Sequence, residues 1–109
     1  MLSDIKDLIQ RLETLKLPLA YEAFEDEQDL PYLCYLIPDS EYDGPDNMVL
    51  KGEHQATVEL YSVQRDFALE SEVIGVLSAY GEITVHSEYI KEENMNVTYF
   101  DFSFVEKIS

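Results

Sequence analysis

The sequence predicts a single α+β domain spanning residues 1–109, built as a mixed, mainly antiparallel sheet of four to five strands with two helices packed on one face. Three observations carry this expectation. Two segments, 3–16 and 67–80, repeat apolar residues with the helical period. The segments between and after them either alternate or run apolar over strand lengths. The turns joining those strands are short, which favours antiparallel pairing. The length of 109 residues suits one domain, and the expected order is α–β–β–loop–β–α–β–β.

The first helix is expected over Ser3–Lys16. Ser3 can serve as N-cap, and Asp4 and Asp7 suit the positive end of the helix dipole. Ile5, Leu8, Ile9, Leu12 and Leu15 then share one face, and Pro18 stops the helix. Two short strands follow, Leu19–Phe24 and Tyr32–Ile37, separated by the acidic turn Glu25–Leu30. The second of them is apolar at every position, which implies cover on both faces. A neighbouring subunit or a long loop of the same chain could each supply that cover. Asp39–Asn47 (DSEYDGPDN) is dense in turn-forming residues, so a long loop is expected at 39–52.

His54–Val63 alternates, with Ala56, Val58 and Leu60 on one side and Thr57, Glu59 and Tyr61 on the other. The second helix is expected over Phe67–Tyr80, with Asp66 as N-cap and Gly81 just past its end. Phe67, Ile74 and Leu77 should share its buried face with Val73 and Val76. Two final strands, Ile83–Ile90 and Asn96–Val105, flank the charged turn Lys91–Met95. In the last strand Phe100, Phe102 and Phe104 alternate with Tyr99, Asp101 and Ser103, and phenylalanines at that spacing read as core.

Composition narrows the function. Apolar residues make up 46%, which excludes compositional disorder. One cysteine, Cys34, excludes an internal disulfide or a multi-cysteine zinc site. The longest nearly uncharged apolar stretch, 30–38, is too short for a membrane-spanning helix, and the N-terminal MLSDIKDLIQ does not read as a signal peptide. Seven basic against 23 acidic residues gives a net charge of −16, which argues against binding DNA phosphates or anionic lipid. No Lys or Arg occurs from Leu17 to Leu50, where nine acids fall: Glu22, Glu25, Asp26, Glu27, Asp29, Asp39, Glu41, Asp43 and Asp46. Two solvated acidic loops would account for this. So would a surface meant for a basic partner, or one that must repel DNA.

No catalytic, cofactor-binding or metal-ligating residue is expected. His54 and His86 read as exposed strand histidines, with no Ser or Cys in a strained turn beside them. Cys34 lies in an apolar strand, where its thiol pKa should rise. Asp39-Ser40-Glu41-Tyr42-Asp43-Gly44 imitates the start of a calcium loop, but its twelfth position is Leu50 where a bidentate Glu is needed. Four scattered glycines form no phosphate cradle, and Asn96-Val97-Thr98 is an idle sequon without export. The chain is rich instead in tyrosine, with eight. Tyrosine favours protein interfaces, and the sheet face carrying Tyr61 and Tyr99 is the candidate contact surface, unless those rings simply cover their own sheet.

Three segments then carry a family resemblance: Asp46-Asn47-Met48-Val49-Leu50; Ala56-Thr57-Val58-Glu59-Leu60-Tyr61-Ser62, leading through Asp66 to Glu72; and Glu88-Tyr89-Ile90 with Glu93-Asn94-Met95, leading into Tyr99-Phe100-Asp101-Phe102. Leu17-Pro18-Leu19-Ala20-Tyr21 and Pro31-Tyr32 fit the same pattern loosely. In this order they resemble the tail terminator proteins (tail completion, or head–tail joining) of long-tailed bacteriophages and prophages, often described only as minor structural proteins. The resemblance spans roughly residues 1–107, and the acidic first half departs from it. It implies an α+β subunit without catalytic residues that forms a ring, usually a hexamer, on the end of the tail tube. Such a ring ends tube polymerisation and joins tail to head. The implied partners are further copies of the chain, the tail tube protein and the head–tail connector, with DNA passing through unbound. The implied location is the virion neck, after assembly in the host bacterial cytoplasm. The alternative functions are an acidic DNA mimic that blocks a nucleic-acid-binding enzyme, or another protein-binding module.

Overall fold

Helical and strand periods alternate along the chain, and the backbone follows them. The computed structural model describes residues 4–45, 48 and 50–107. Its main elements are α1 (Ile5–Glu13), β1 (Leu19–Tyr21), β2 (Tyr32–Asp43), β3 (Lys51–Ser62), α2 (Phe67–Leu77), β4 (Thr84–Ile90) and β5 (Met95–Lys107). Short 3₁₀ turns, Ser78–Tyr80 and Lys91–Glu93, precede β4 and β5. The strands form one mixed five-stranded sheet in the order β1-β2-β3-β5-β4. Only β1 and β2 run parallel; the other three pairings are antiparallel. The α+β class, strand number and element order are those the sequence predicts.

Alternation decides which residues are buried. Leu33 on β2, Ala56, Val58 and Leu60 on β3, and Phe100, Phe102 and Phe104 on β5 point to one side. There they meet Leu8 and Leu12 of α1 and Val73 and Leu77 of α2. Both helices therefore lie on one face. Burying one such side chain is worth ~1.5–3 kcal/mol, so this layer supplies most of the driving force.

Local chemistry fixes the helix ends. Asp4 caps α1 by accepting from the Asp7 amide at 2.7 Å. The predicted cap, Ser3, lies outside the described residues. Asp66 caps α2 as expected, accepting from the Leu69 amide at 3.0 Å. The helix ends in its 3₁₀ turn at Gly81, whose φ of 98° suits a residue without Cβ. Tyr80, at that end, stacks on Phe102 and donates its hydroxyl to Asp7 at 2.6 Å, pinning α2 to α1.

Several boundaries differ from the sequence expectation. Strand β2 continues to Asp43 and β3 begins at Lys51, so the expected loop 39–52 contracts to the connection between them. Pro38 does not stop the strand because the register shifts between Leu36 and Asp39, a bulge that absorbs it. That half of β2 is also an edge, since β1 pairs only with Leu33–Tyr35. Strand β1 ends at Tyr21, and the segment 22–31 forms a crossover that lets β1 and β2 run parallel. On α2, Val73 and Leu77 are buried as expected, but Phe67 and Ile74 are exposed. The inward stripe instead runs through Glu70, one turn from Val73.

The long strands β2, β3 and β5 extend past the helices, and the molecule measures 52 × 27 × 22 Å. At that end Tyr42 lies across Gly52, where a Cβ would come within 2.8 Å of the Tyr42 ring. Only glycine leaves room for that contact.

Candidate interaction face

The sheet's second face carries the odd-numbered residues of β3 and β5. In register across it stand Tyr32 beside Tyr61, Cys34 beside Glu59, Glu59 beside Tyr99, and Tyr99 beside His86. The sequence places Tyr61 and Tyr99 together on this side, and the structure does the same. No helix covers it. Tyr61 and Tyr99 are half-buried, while His86, Glu88 and Asp101 are exposed.

The aromatic groups are organised in two pairs. Tyr32 and Tyr61 stack at 4.8 Å between ring centroids, and His86 stacks on Tyr99 at 6.1 Å. Two of these three tyrosine hydroxyls have a carboxylate acceptor: Tyr61 donates to Glu59 at 3.0 Å, and Tyr99 to Glu88 at 3.1 Å. Burial, then the Glu59 charge, pushes the Tyr61 hydroxyl far above the usual range. Burial likewise raises the Glu59 carboxyl, against the lowering effect of the Tyr61 bond. These hydroxyls therefore remain protonated donors, and the face offers oriented phenols rather than phenolates.

Part of this face is covered by the chain itself. The crossover 22–31 lies over Tyr32, Cys34 and Tyr61 and leaves an open groove of about 1020 Å³. Phe24 from the crossover packs edge-on against Tyr32 at 5.3 Å. This explains why 32–37 is apolar throughout: Leu33 faces the helices, and Cys34, 2% exposed, faces the crossover. Burial pushes the Cys34 thiol up to about 11, as its apolar strand implied.

The histidines divide. His86 is exposed as expected, but His54 is not: it is 1% exposed on the helix side of β3. Its Nδ1 lies 2.7 Å from Ser40 Oγ on β2, and its Nε2 lies 3.0 Å from Glu106 Oε1 on β5. With Glu106 ionised, Nε2 donates and Nδ1 accepts the Ser40 proton. The three residue types of a hydrolytic triad thus meet, which sequence reasoning missed because 40, 54 and 106 are joined only by sheet register. Their placement is that of a clasp. The imidazole is enclosed by Tyr42 and Phe104, and each member comes from a different strand of the projecting end.

A second buried polar cluster anchors α2. Glu70, 4% exposed, accepts from Arg65 at 3.0 and 3.2 Å, with the Thr98 hydroxyl 3.4 Å away. Asn96 donates to Ser87 at 3.0 Å beside it. Every buried side-chain nitrogen and oxygen among the described residues has a partner.

The imitation calcium loop is strand rather than loop, so Asp39, Glu41 and Asp43 are spread along one face instead of converging. Among the described residues no group of three or more His, Cys, Asp or Glu side chains is placed to hold a metal ion. No described helix is long and apolar enough to cross a membrane. Compared with known proteins, the chain matches no family model, and no curated protein matches it.

Proposed function

We propose that this chain is a non-enzymatic structural subunit of the tail end of a long-tailed bacteriophage or prophage. It assembles as a ring, a hexamer by analogy with the proteins it resembles, ends polymerisation of the tail tube and joins the tail to the head connector. The observation that carries the reading is the half of the sheet over β5 and β4 that no described helix covers, with His86 in register with Tyr99 and Glu88 in register with Val97 on it. A sheet with one helical layer and one open aromatic face is suited to burial by a neighbour. A ring of six needs this face to meet a different surface of the next subunit, because an isologous contact closes at a twofold dimer. The α+β architecture agrees with the resemblance, and a net charge of −16 suits a channel through which DNA slides without sticking.

Native mass spectrometry over a range of protein concentration and salt, with negative-stain images, tests the proposal. A hexameric ring that caps purified tail tubes is the expected result. Tyr99→Ala should abolish the ring while leaving the fold intact. A chain that neither forms rings nor binds tube ends would refute the reading.

One observation favours the DNA-mimic reading. Asp39, Glu41 and Asp43 line one side of an edge strand, at ~7 Å intervals from the strand rise. A mimic should bind a basic DNA-binding protein as a monomer or dimer, lose that affinity steeply in salt, and lose it again when these three acids are neutralised.

A further inference from the structure

The groove beneath the crossover differs in character from the rest of the open face. Its wall is the segment 22–30, which contributes Glu22, Glu25, Asp26, Glu27 and Asp29, and Glu93 closes the far side. No Lys or Arg lines it. Its floor is aromatic and sulfur-bearing: Phe24, the stacked Tyr32–Tyr61 pair, and Cys34. Six exposed carboxylates gathered around an aromatic floor give the groove a negative potential that favours a cationic occupant. Rings offer such an occupant the negative faces of their π systems, with carboxylates at the rim to pair its charge.

We propose that this groove docks a basic, arginine-bearing segment of a partner protein. Charge complementarity commits the occupant. A volume of about 1020 Å³ in an open trough lies at the upper end of the ~300–1,000 Å³ typical of small-molecule sites, and the open shape suits a stretch of chain. A second copy of this protein is a poor fit. The bases it sets side by side, Lys51 and Lys107, are lysines on paired strands rather than arginines on an extended segment, and its two arginines, Arg11 and Arg65, are already held by Asp7 and Glu70. Arginine fits better than lysine because a planar guanidinium can lie against a ring and fork onto a carboxylate together. The proposal does not depend on ring formation, since the groove is complete within one chain.

The test uses the intact protein and a fluorescein-labelled peptide of alternating arginine and glycine, read by fluorescence anisotropy near physiological salt. Two variants carry the same change in charge: E25Q/D26N/E27Q in the groove wall, and D39N/E41Q/D43N on β2. All six positions are exposed, so both variants should fold. The groove variant should weaken peptide binding about tenfold, from the loss of three charge contacts. The β2 variant should change it less than about twofold. Phe24→Ala should weaken the arginine peptide more than its lysine counterpart. Equal losses in the two triple variants would reduce the effect to net charge and overturn the proposal. So would undetectable binding at about 0.1 mM peptide, equal affinity for free arginine residue by residue, or concentration-dependent self-association that the peptide does not compete with. Failure of ring assembly would leave these outcomes unaffected.

Discussion

Removing the Arg65 guanidinium should destabilise the fold by about 2 kcal/mol, because it strands a buried charge. The Glu70 side chain is 6% exposed, whereas that of Arg65 is 44% exposed. The guanidinium reaches in from the surface and donates twice to the carboxylate, at 3.0 and 3.2 Å. Breaking a fully buried pair costs ~3–5 kcal/mol, but the exposed arginine side admits water once truncated, which lowers the figure. The carboxylate in the first turn of α2 also keeps the favour of the helix N-terminus, ~0.3–1 kcal/mol. Against that, Arg65→Ala loses the contact of its guanidinium over the Phe67 ring at 4.5 Å, worth ~0.5–1 kcal/mol. The balance is near 2 kcal/mol, or a fall of roughly 10 °C in Tm. Glu70→Gln in the Arg65→Ala background removes the stranded charge while keeping volume, and should restore about 1 kcal/mol. Urea unfolding followed by circular dichroism at neutral pH reads both, provided the m-values agree. A double variant less stable than Arg65→Ala alone would refute the reasoning, since it would mean the carboxylate is no liability without its partner.

Three further outcomes follow from other sites. Cys34, with its thiol pushed from 9.0 up to about 11, should react with iodoacetamide at pH 8 about a hundredfold more slowly in the folded protein than in urea, from thiolate population alone. Tyr80→Phe should cost about 1 kcal/mol, a charge-assisted bond discounted for the 36% exposure of the Asp7 side chain. The Tyr80 hydrogen bond, then that of Arg11, holds the Asp7 carboxyl below its usual value of 3.8. Stability from a depressed carboxyl is complete above the unfolded value and is lost as pH falls through the folded one. The gap between wild type and Tyr80→Phe should therefore narrow below about pH 3.8 in acid titration of stability. Phe100→Ala, at a fully buried position between the helices and the sheet, should cost about 3–5 kcal/mol by urea unfolding.

The sequence made legible whatever rests on local period. Alternation in 54–63 and 96–105 gave the central strands and the correct face for Ala56, Val58, Leu60 and the three phenylalanines, because a period of two leaves no freedom in which side is buried. Asp66 and Gly81 marked the second helix for equally local reasons. What was hidden rests on pairing. Pro38 and the turn-rich residues after it argue for a loop, and only the bulge opposite Thr57 and Gln55 keeps them in a strand. The exposure of Phe67 could not be read, since a helix hydrophobic on several sides does not declare which side meets the sheet. The groove was half visible: the acidic run 22–29 stood out, as did a doubly apolar strand at 32–37. That one covers the other required the parallel pairing of β1 with β2, which no local signal announces.

The clasp at the projecting end has a consequence for how that end moves. Ser40, His54 and Glu106 sit on three different strands and are joined through the two nitrogens of one ring. The ring itself stands between Tyr42 and Phe104. Sliding any one of these strands past the others would break a bond to the imidazole and leave a buried nitrogen without a partner. The three strands are thus stiffened into one plate, and whatever meets the projecting end meets a rigid edge rather than separate fingers.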